Sequence, residues 1–177
     1  MIPSPPLPSI ALYQLSISDL GALRYEYCPF DLSELSTRHC DLIQKRAVQA
    51  QIDFSCSIQP NIILNGDKNR ISQLLNNLLT NSIKYTDNHG SCQLTLAKQN
   101  NSIKITIEDT APSVSEAQCQ LLFDPLYRIE KSRNRTKGGA GLGLAICKNI
   151  VTAHQGQITA SPSPLGGLKI QVTLAAI

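Results

Sequence analysis

The 177-residue sequence has no tryptophan, one methionine and only 5% aromatic residues. Few rings are left for a base-stacking platform, so no nucleic-acid partner is expected. None of the six cysteines, at 28, 40, 56, 92, 119 and 147, stands in Cys-x-x-Cys spacing or beside a histidine pair. That spacing counts against a zinc site and against a disulfide framework, and a reducing, cytoplasmic setting is expected. Cys56 and Cys92 alternate with apolar residues and read as small core side chains. No apolar run is long enough to span a bilayer, so no membrane contact is expected of this chain. The opening MIPSPPLPSIALYQLSI lacks the basic flank of a signal peptide and is broken by Pro3, Pro5, Pro6 and Pro8. Residues 1–11 are read as a flexible leader.

What is present describes a globular domain: 42% hydrophobic and 16% charged residues, in a length that fits one sizeable core. Residues 12–23 predict a short helix end, too short to stand alone. YEYCPF is a candidate strand, and residues 31–51 a helix opened by an Asp31/Glu34 capping-box pattern. IDFSCSI alternates Ile52, Phe54, Cys56 and Ile58, as a half-buried strand does. NIILNG reads as another strand, followed by a helix from Asp67 to Tyr85. Cys92, Leu94 and Leu96, then Ile103, Ile105 and Ile107, alternate on either side of an Asn100-Asn101 turn. A short helix from Ser115, a basic loop, a glycine-opened helix and a hairpin around Gly166-Gly167 complete the chain. Antiparallel strands alternating with helices that can cover one face predict a two-layer α/β sandwich.

Four stretches can carry chemistry. In NNLLTNSIKYT, residues 76–86, amides and a lysine interrupt a leucine-rich run. At about 100° per residue, Arg70, Gln73, Asn77, Asn81 and Lys84 share one helix face, with Ile71, Leu75, Leu78, Leu79 and Ser82 opposite. A solvated surface is the plain reading of that stripe. Its neutral amides also suit a hard cation such as Mg²⁺, and a lysine one turn further suits phosphate. GGAGLGL, from Gly138 to Leu144, opens a helix, where backbone N–H groups favour an anion; a flexible loop is the alternative. YRIEKSRNRTK sets Arg128, Lys131, Arg133, Arg135 and Lys137 against Glu130 alone, a local excess larger than the net +3 of the whole chain. It reads as a solvated run, a nucleic-acid loop or, beside a phosphate cradle, a cationic lid. Finally, IEDTAPSVS delivers Asp109 from a strand into a turn, as a turn former or as an acceptor for an exocyclic amine.

In this order the stretches resemble the nucleotide-binding boxes of one family. DKNRISQLLNNLLTNSIKYT is similar to the N box, EDTAPSVS to the G1 box, LFDPLYR to the F box and GGAGLGLAICKNIVTAHQG to the G2 box. Over about residues 12–175 the chain is identified as resembling the ATP-binding catalytic domain of bacterial sensor histidine kinases. These belong to the gyrase, heat-shock chaperone, histidine kinase and MutL superfamily, and SRNRTKGGAGLGLAI is closest in wording to the BaeS-like envelope-stress sensors. The resemblance implies a Bergerat fold, with a mixed, mostly antiparallel sheet covered by helices on one face. It also implies ATP and Mg²⁺, with Asn81 on the metal and Asn77 near metal and phosphates. Lys84 would meet phosphate, Tyr85 pack on adenine and Asp109 accept from the adenine amino group. Arg133 and Arg135 would be lid contacts, while Gly139, Gly141 and Gly143 cradle phosphates. Asn77 and Lys84 are thus the expected catalytic residues, and residues 12–24 the tail of a dimerisation helix ahead of a catalytic domain at 25–177. The implied partner is a histidine-bearing dimerisation domain, with a response regulator engaged indirectly. Without its dimerisation helices the chain is expected to be a monomer.

Three departures bear on function. The family's Asp-x-Gly-x-Gly carries Ala111 and Ser113 here, and a Cβ at Ser113 is expected to strain backbone that glycine would relieve. None of His39, His89 and His154 lies in the H-[ED]-x-x-x-P motif of the phospho-accepting helix. The superfamily's ATPases and serine-directed kinases carry Glu four residues before the metal-binding Asn, where this chain has Asn77. A kinase domain acting on a separate histidine is therefore the main expectation. A nucleotide-binding regulatory module without kinase activity and an ATP-hydrolysing superfamily member are the alternatives.

Overall fold

Asp31 ends one element and begins the next. In the computed structural model, which describes residues 24–110, 112–129 and 141–176, strand β1 (Cys28–Asp31) runs directly into helix α1 (Leu32–Gln49). The Asp31 carboxylate accepts the Glu34 N–H at 2.8 Å and caps the helix. Only half of the expected capping box forms, because Glu34 ion-pairs with Arg38 one turn on. Next come β2 (Asp53–Ile58), β3 (Ile63–Gly66) and α2 (Lys68–Tyr85), then the hairpin β4 (Ser91–Gln99) and β5 (Ser102–Asp109). Asn100 turns that hairpin at φ 53°, a conformation asparagine tolerates. The chain continues as α3 (Glu116–Leu121), α4 (Gly143–Ala153), β6 (Gln157–Pro162) and β7 (Leu168–Ala175).

Five strands form the main sheet in the order β2-β4-β5-β7-β6. β2 is parallel to β4, and the other pairings are antiparallel. The register sets Leu94 opposite Ile107, Leu96 opposite Ile105, and Ile105 in turn opposite Val172. Strand side chains alternate between faces, so these residues line one face. They are fully buried with Ile71, Leu74, Leu75, Leu78 and Leu79 of α2. The outer face is polar; Glu108 and Lys169, paired in the register, approach to 3.5 Å there. This is the expected two-layer sandwich with a mixed, mostly antiparallel sheet.

Two expectations are corrected. Of YEYCPF, only residues from Cys28 onward are strand, and they pair with β3 in a separate two-stranded ribbon. The cysteines expected in the core divide: Cys92 is fully buried in the interior strand β4, while Cys56 is exposed. Among the described residues its strand, β2, has a sheet neighbour on one side alone, and cover thins at an edge. Leu94→Ala should therefore destabilise the fold by about 2–5 kcal/mol in urea unfolding. Cys56→Ser should stay within about 0.5 kcal/mol of the parent.

Candidate functional site

Helix α2 supplies the floor of the site. Asp67 caps it, with one carboxylate oxygen accepting the Asn69 and Arg70 N–H groups at 3.0 and 3.1 Å. Its apolar face, with Ser82, is buried, which leaves Asn77, Asn81, Lys84 and Tyr85 half-buried away from the core. Asn77 Nδ2 donates to the Gly143 carbonyl at 3.5 Å, tying α2 to the first residue of α4. Its amide also meets the Cys147 thiol, which burial pushes up to about 12. With the Asn77 nitrogen so engaged, its carbonyl oxygen is the atom left for a ligand. Lys84 Nζ lies 5.1 Å from the centre of the Tyr85 ring, within cation–π range. With Gln49, Ala50 and Thr86 it also lines a depression of about 360 Å³ between the C-terminal ends of α1 and α2. Arg70 and Gln73, placed by periodicity on the same stripe, hydrogen-bond to each other at 3.2 Å.

Asp109 closes the site from the sheet side. It sits at the end of β5, buried, and its Oδ1 accepts the Leu168 N–H at 2.7 Å. The Ser82 hydroxyl of α2 hydrogen-bonds to the same carboxylate. Burial raises the Asp109 pKa from its ordinary value, against the opposing pull of the Leu168 N–H and the Ser82 hydroxyl. A carboxylate has about four lone-pair positions, so Asp109 can still accept from an amine. Gly167 allows this arrangement: a Cβ there would lie 2.3 Å from Asp109 Oδ1 and 2.3 Å from the Thr110 carbonyl.

The third wall of the candidate site is built around Gly141 and α4. Gly141 adopts φ +69° and accepts the Leu126 N–H at 3.0 Å, so the F-box and glycine segments are joined. A Cβ on Gly141 would come within 3.0 Å of the Leu126 backbone. Leu142 precedes α4 and makes no side-chain cap, as suits a helix start that receives an anion. Among the described residues, a Cβ on Gly143 would meet nothing within 4 Å. Arg133, Arg135, Gly139 and Ala111 lie outside the described residues. Ser113 is corrected: it is not among the described residues with positive φ, so its Cβ carries no left-handed strain. Leu126, at φ 67°, does.

Two residues of the site carry no signal of their own in the sequence pattern. Ser82 reads as part of the core face, although a hydroxyl among leucines needs a partner. Gly167 reads only as a turn.

Amide oxygens, a lysine, a carboxylate able to accept from an amine and a helix N-terminus without a side-chain cap from Leu142 suit an adenine nucleotide with a hard cation. Fold and site together define an ATP-binding catalytic domain. Residues 66–176 match the family described as histidine kinase-, DNA gyrase B- and HSP90-like ATPase. The signal transduction histidine-protein kinase BaeS of Escherichia coli K12 is 46% identical over 163 residues, covering 92% of this chain and 35% of BaeS. The sensor histidine kinase CpxA of the same strain is 36% identical over 111 residues, 63% of this chain and 24% of CpxA. The nucleotide-free catalytic domain of histidine kinase ThkA superposes with a TM-score of 0.75 at 25% identity, covering 85% of this chain and 96% of that one. The chain belongs to the histidine kinase-, DNA gyrase B- and HSP90-like ATPase family. It spans about a third or less of the length of these curated relatives.

The raised pKa of Asp109 makes a signed prediction. Below the ordinary value of 3.8 both folded and unfolded chains are protonated there. As pH rises through the folded pKa, the fold must ionise a buried group and loses stability. Asp109→Asn should thus be at least as stable as the parent at pH 7, measured by urea unfolding. The parent's ATP affinity should weaken as the pH is lowered towards the Asp109 pKa, and Asp109→Asn should lose that dependence in calorimetric titrations.

Proposed function

We propose that this chain is the catalytic part of a sensor histidine kinase, which binds Mg-ATP and donates the γ-phosphoryl group to a histidine on a separate dimerisation domain. In this reading residues 12–24 are the tail of a dimerisation helix and residues 25–177 the catalytic domain. A response regulator receives the phosphoryl group later; a fold relative, ThkA, was solved in complex with the response regulator protein TrrA. The setting is cytoplasmic, and among the described residues no helix is long and apolar enough to cross a membrane.

The observation that carries the reading is Asn77. Water and serine hydroxyls are poor nucleophiles at neutral pH unless a base takes their proton. The side chain facing α4 at this point is an amide, already bonded to the Gly143 carbonyl, and it takes up no proton. A neutral imidazole needs no base, because its ring nitrogen presents a lone pair. That nitrogen forms the N–P bond as the bond from the γ-phosphorus to its bridging oxygen breaks, and ADP leaves. Asp109 and Tyr85 hold the adenine, Lys84 and the N–H groups at Gly139, Gly141 and Gly143 hold phosphates, and Arg133 and Arg135 cover them. Asn81 and Asn77 would hold Mg²⁺, which neutralises phosphate charge when bound. Catalysis is then positioning and charge neutralisation. The regulatory-module alternative drew on a strained G1 turn, and Ser113 carries no such strain.

Asn81→Ala should weaken Mg-ATP binding by about 10–100-fold, a range typical for perturbed metal sites. Its unfolding transition should match the parent's, because Asn81 faces away from the core. The parent chain alone should release phosphate from saturating Mg-ATP only very slowly. Steady hydrolysis that disappears in Asn77→Ala would instead make the protein an ATPase.

A further inference from the structure

The two helices that build the site meet a third piece of chain at their far ends. Tyr25 and Tyr27, two residues apart, both pack on His154, the residue that ends α4. Ring centroids lie 5.7 Å apart in an edge-on contact for Tyr25 and 5.2 Å apart for Tyr27. The Tyr27 hydroxyl donates to the Ala153 carbonyl at 2.6 Å. His154 is buried and fully engaged: Nε2 accepts the Asp67 N–H at 3.0 Å, so Nδ1 carries the proton and donates to the Ile150 carbonyl at 2.8 Å. Gly66 makes room for the ring, since a Cβ there would stand 2.8 Å from His154 Cδ2. Asp67 then uses its two carboxylate oxygens differently. Oδ1 caps α2, and Oδ2 accepts the Glu26 N–H at 3.0 Å. The Arg70 guanidinium completes the clasp 5.9 Å from the centre of the Tyr25 ring.

Residues 25–27 are thereby fastened to the start of α2 and the end of α4. From the clasp, α2 runs about 20 Å to Asn81 at 1.5 Å per residue. α4 runs back from Gly143, beside Asn77, to His154. The nucleotide site and the incoming chain are thus joined through two packed helices, and no clasp residue is among those assigned to the nucleotide.

We propose that Tyr25, Tyr27, His154 and Asp67 are positioning residues for phosphoryl transfer, fixing the incoming segment so that the nucleotide site faces the acceptor domain in one orientation. The inference rests on the kinase reading, in which the acceptor histidine lies on a domain joined through this segment. A fastened joint keeps donor and acceptor at high effective concentration, whereas a swinging one dilutes the productive pose.

The test extends the whole chain at its N-terminus with the histidine-bearing helix pair of a BaeS-type kinase. Autophosphorylation is measured in the parent and in Tyr25→Ala/Tyr27→Ala, whose side chains lie outside the core. The double variant should lose about tenfold in kcat, the scale of several lost weak contacts, with the KM for ATP unchanged. Amide exchange at Glu26 should accelerate in step. His154→Gln, which retains an acceptor for the Asp67 N–H, should transfer faster than His154→Ala. Parental kcat in the double variant, or a loss expressed in the KM for ATP, would overturn the inference alone. If the extended parent binds ATP but leaves its histidine unphosphorylated, the kinase reading falls and the clasp's role falls with it.

Discussion

Helix α2 must bury one face completely to offer the other to a ligand, and the rest of the structure follows from that division. A 3.6-residue period lets one sequence alternate between the two demands. Leu74, Leu75, Leu78 and Leu79 are almost wholly removed from water, worth about 1.5–3 kcal/mol each in apolar burial. They lock the helix against the sheet and so fix the direction of Asn77 and Asn81, and the Asn77 amide adds a tie to α4 through the Gly143 carbonyl. A polar stripe held this rigidly is preorganised: in the proposed role its oxygens would need little rearrangement to meet a cation.

The same division places Ser82 where it reaches Asp109, and there stability gives way to function. A carboxyl group buried at the end of β5 resists ionisation, which the raised pKa expresses. The fold offsets the penalty with the Leu168 N–H and the Ser82 hydroxyl, and Gly167 omits the Cβ that would press on Asp109 Oδ1. Cys92 and Cys147, whose thiols are both pushed up to about 12, stay protonated beside the site and act as packing. The chemistry of the pocket therefore rests on oxygens, amides and backbone.

Much of this was legible in the sequence because it is periodic. Period-two alternation located the β4–β5 hairpin and its inward residues, and the 3.6-residue stripe located the amides of α2. Asp109 and the glycine run around Gly141 stood out as a strand-end carboxylate and a helix opening, and family resemblance gave them their expected roles. What periodicity leaves hidden is contact between residues far apart in the chain. Ser82 with Asp109, Gly167 with Asp109 and His154 with Asp67 are tertiary pairs with no local signature. Cys56 shows the converse error: it alternates like a core residue, but an edge position decides its burial. The strain expected at Ser113 is absent because turn geometry, not residue type, sets φ. Tyr25 and Tyr27 look like strand residues and serve as ring contacts instead.

In the proposed reaction the γ-phosphoryl group goes to a nitrogen and not to water or a hydroxyl, because Asn77 cannot serve as a base. The most direct measurement is the chemical stability of the product. The chain is incubated with γ-labelled ATP, Mg²⁺ and a separate histidine-bearing helix pair, and the labelled helix pair is treated with acid and with alkali. A phosphoramidate on histidine predicts label lost in acid and kept in alkali. Label that survives acid and is lost in alkali, as a serine phosphoester does, would contradict transfer to histidine.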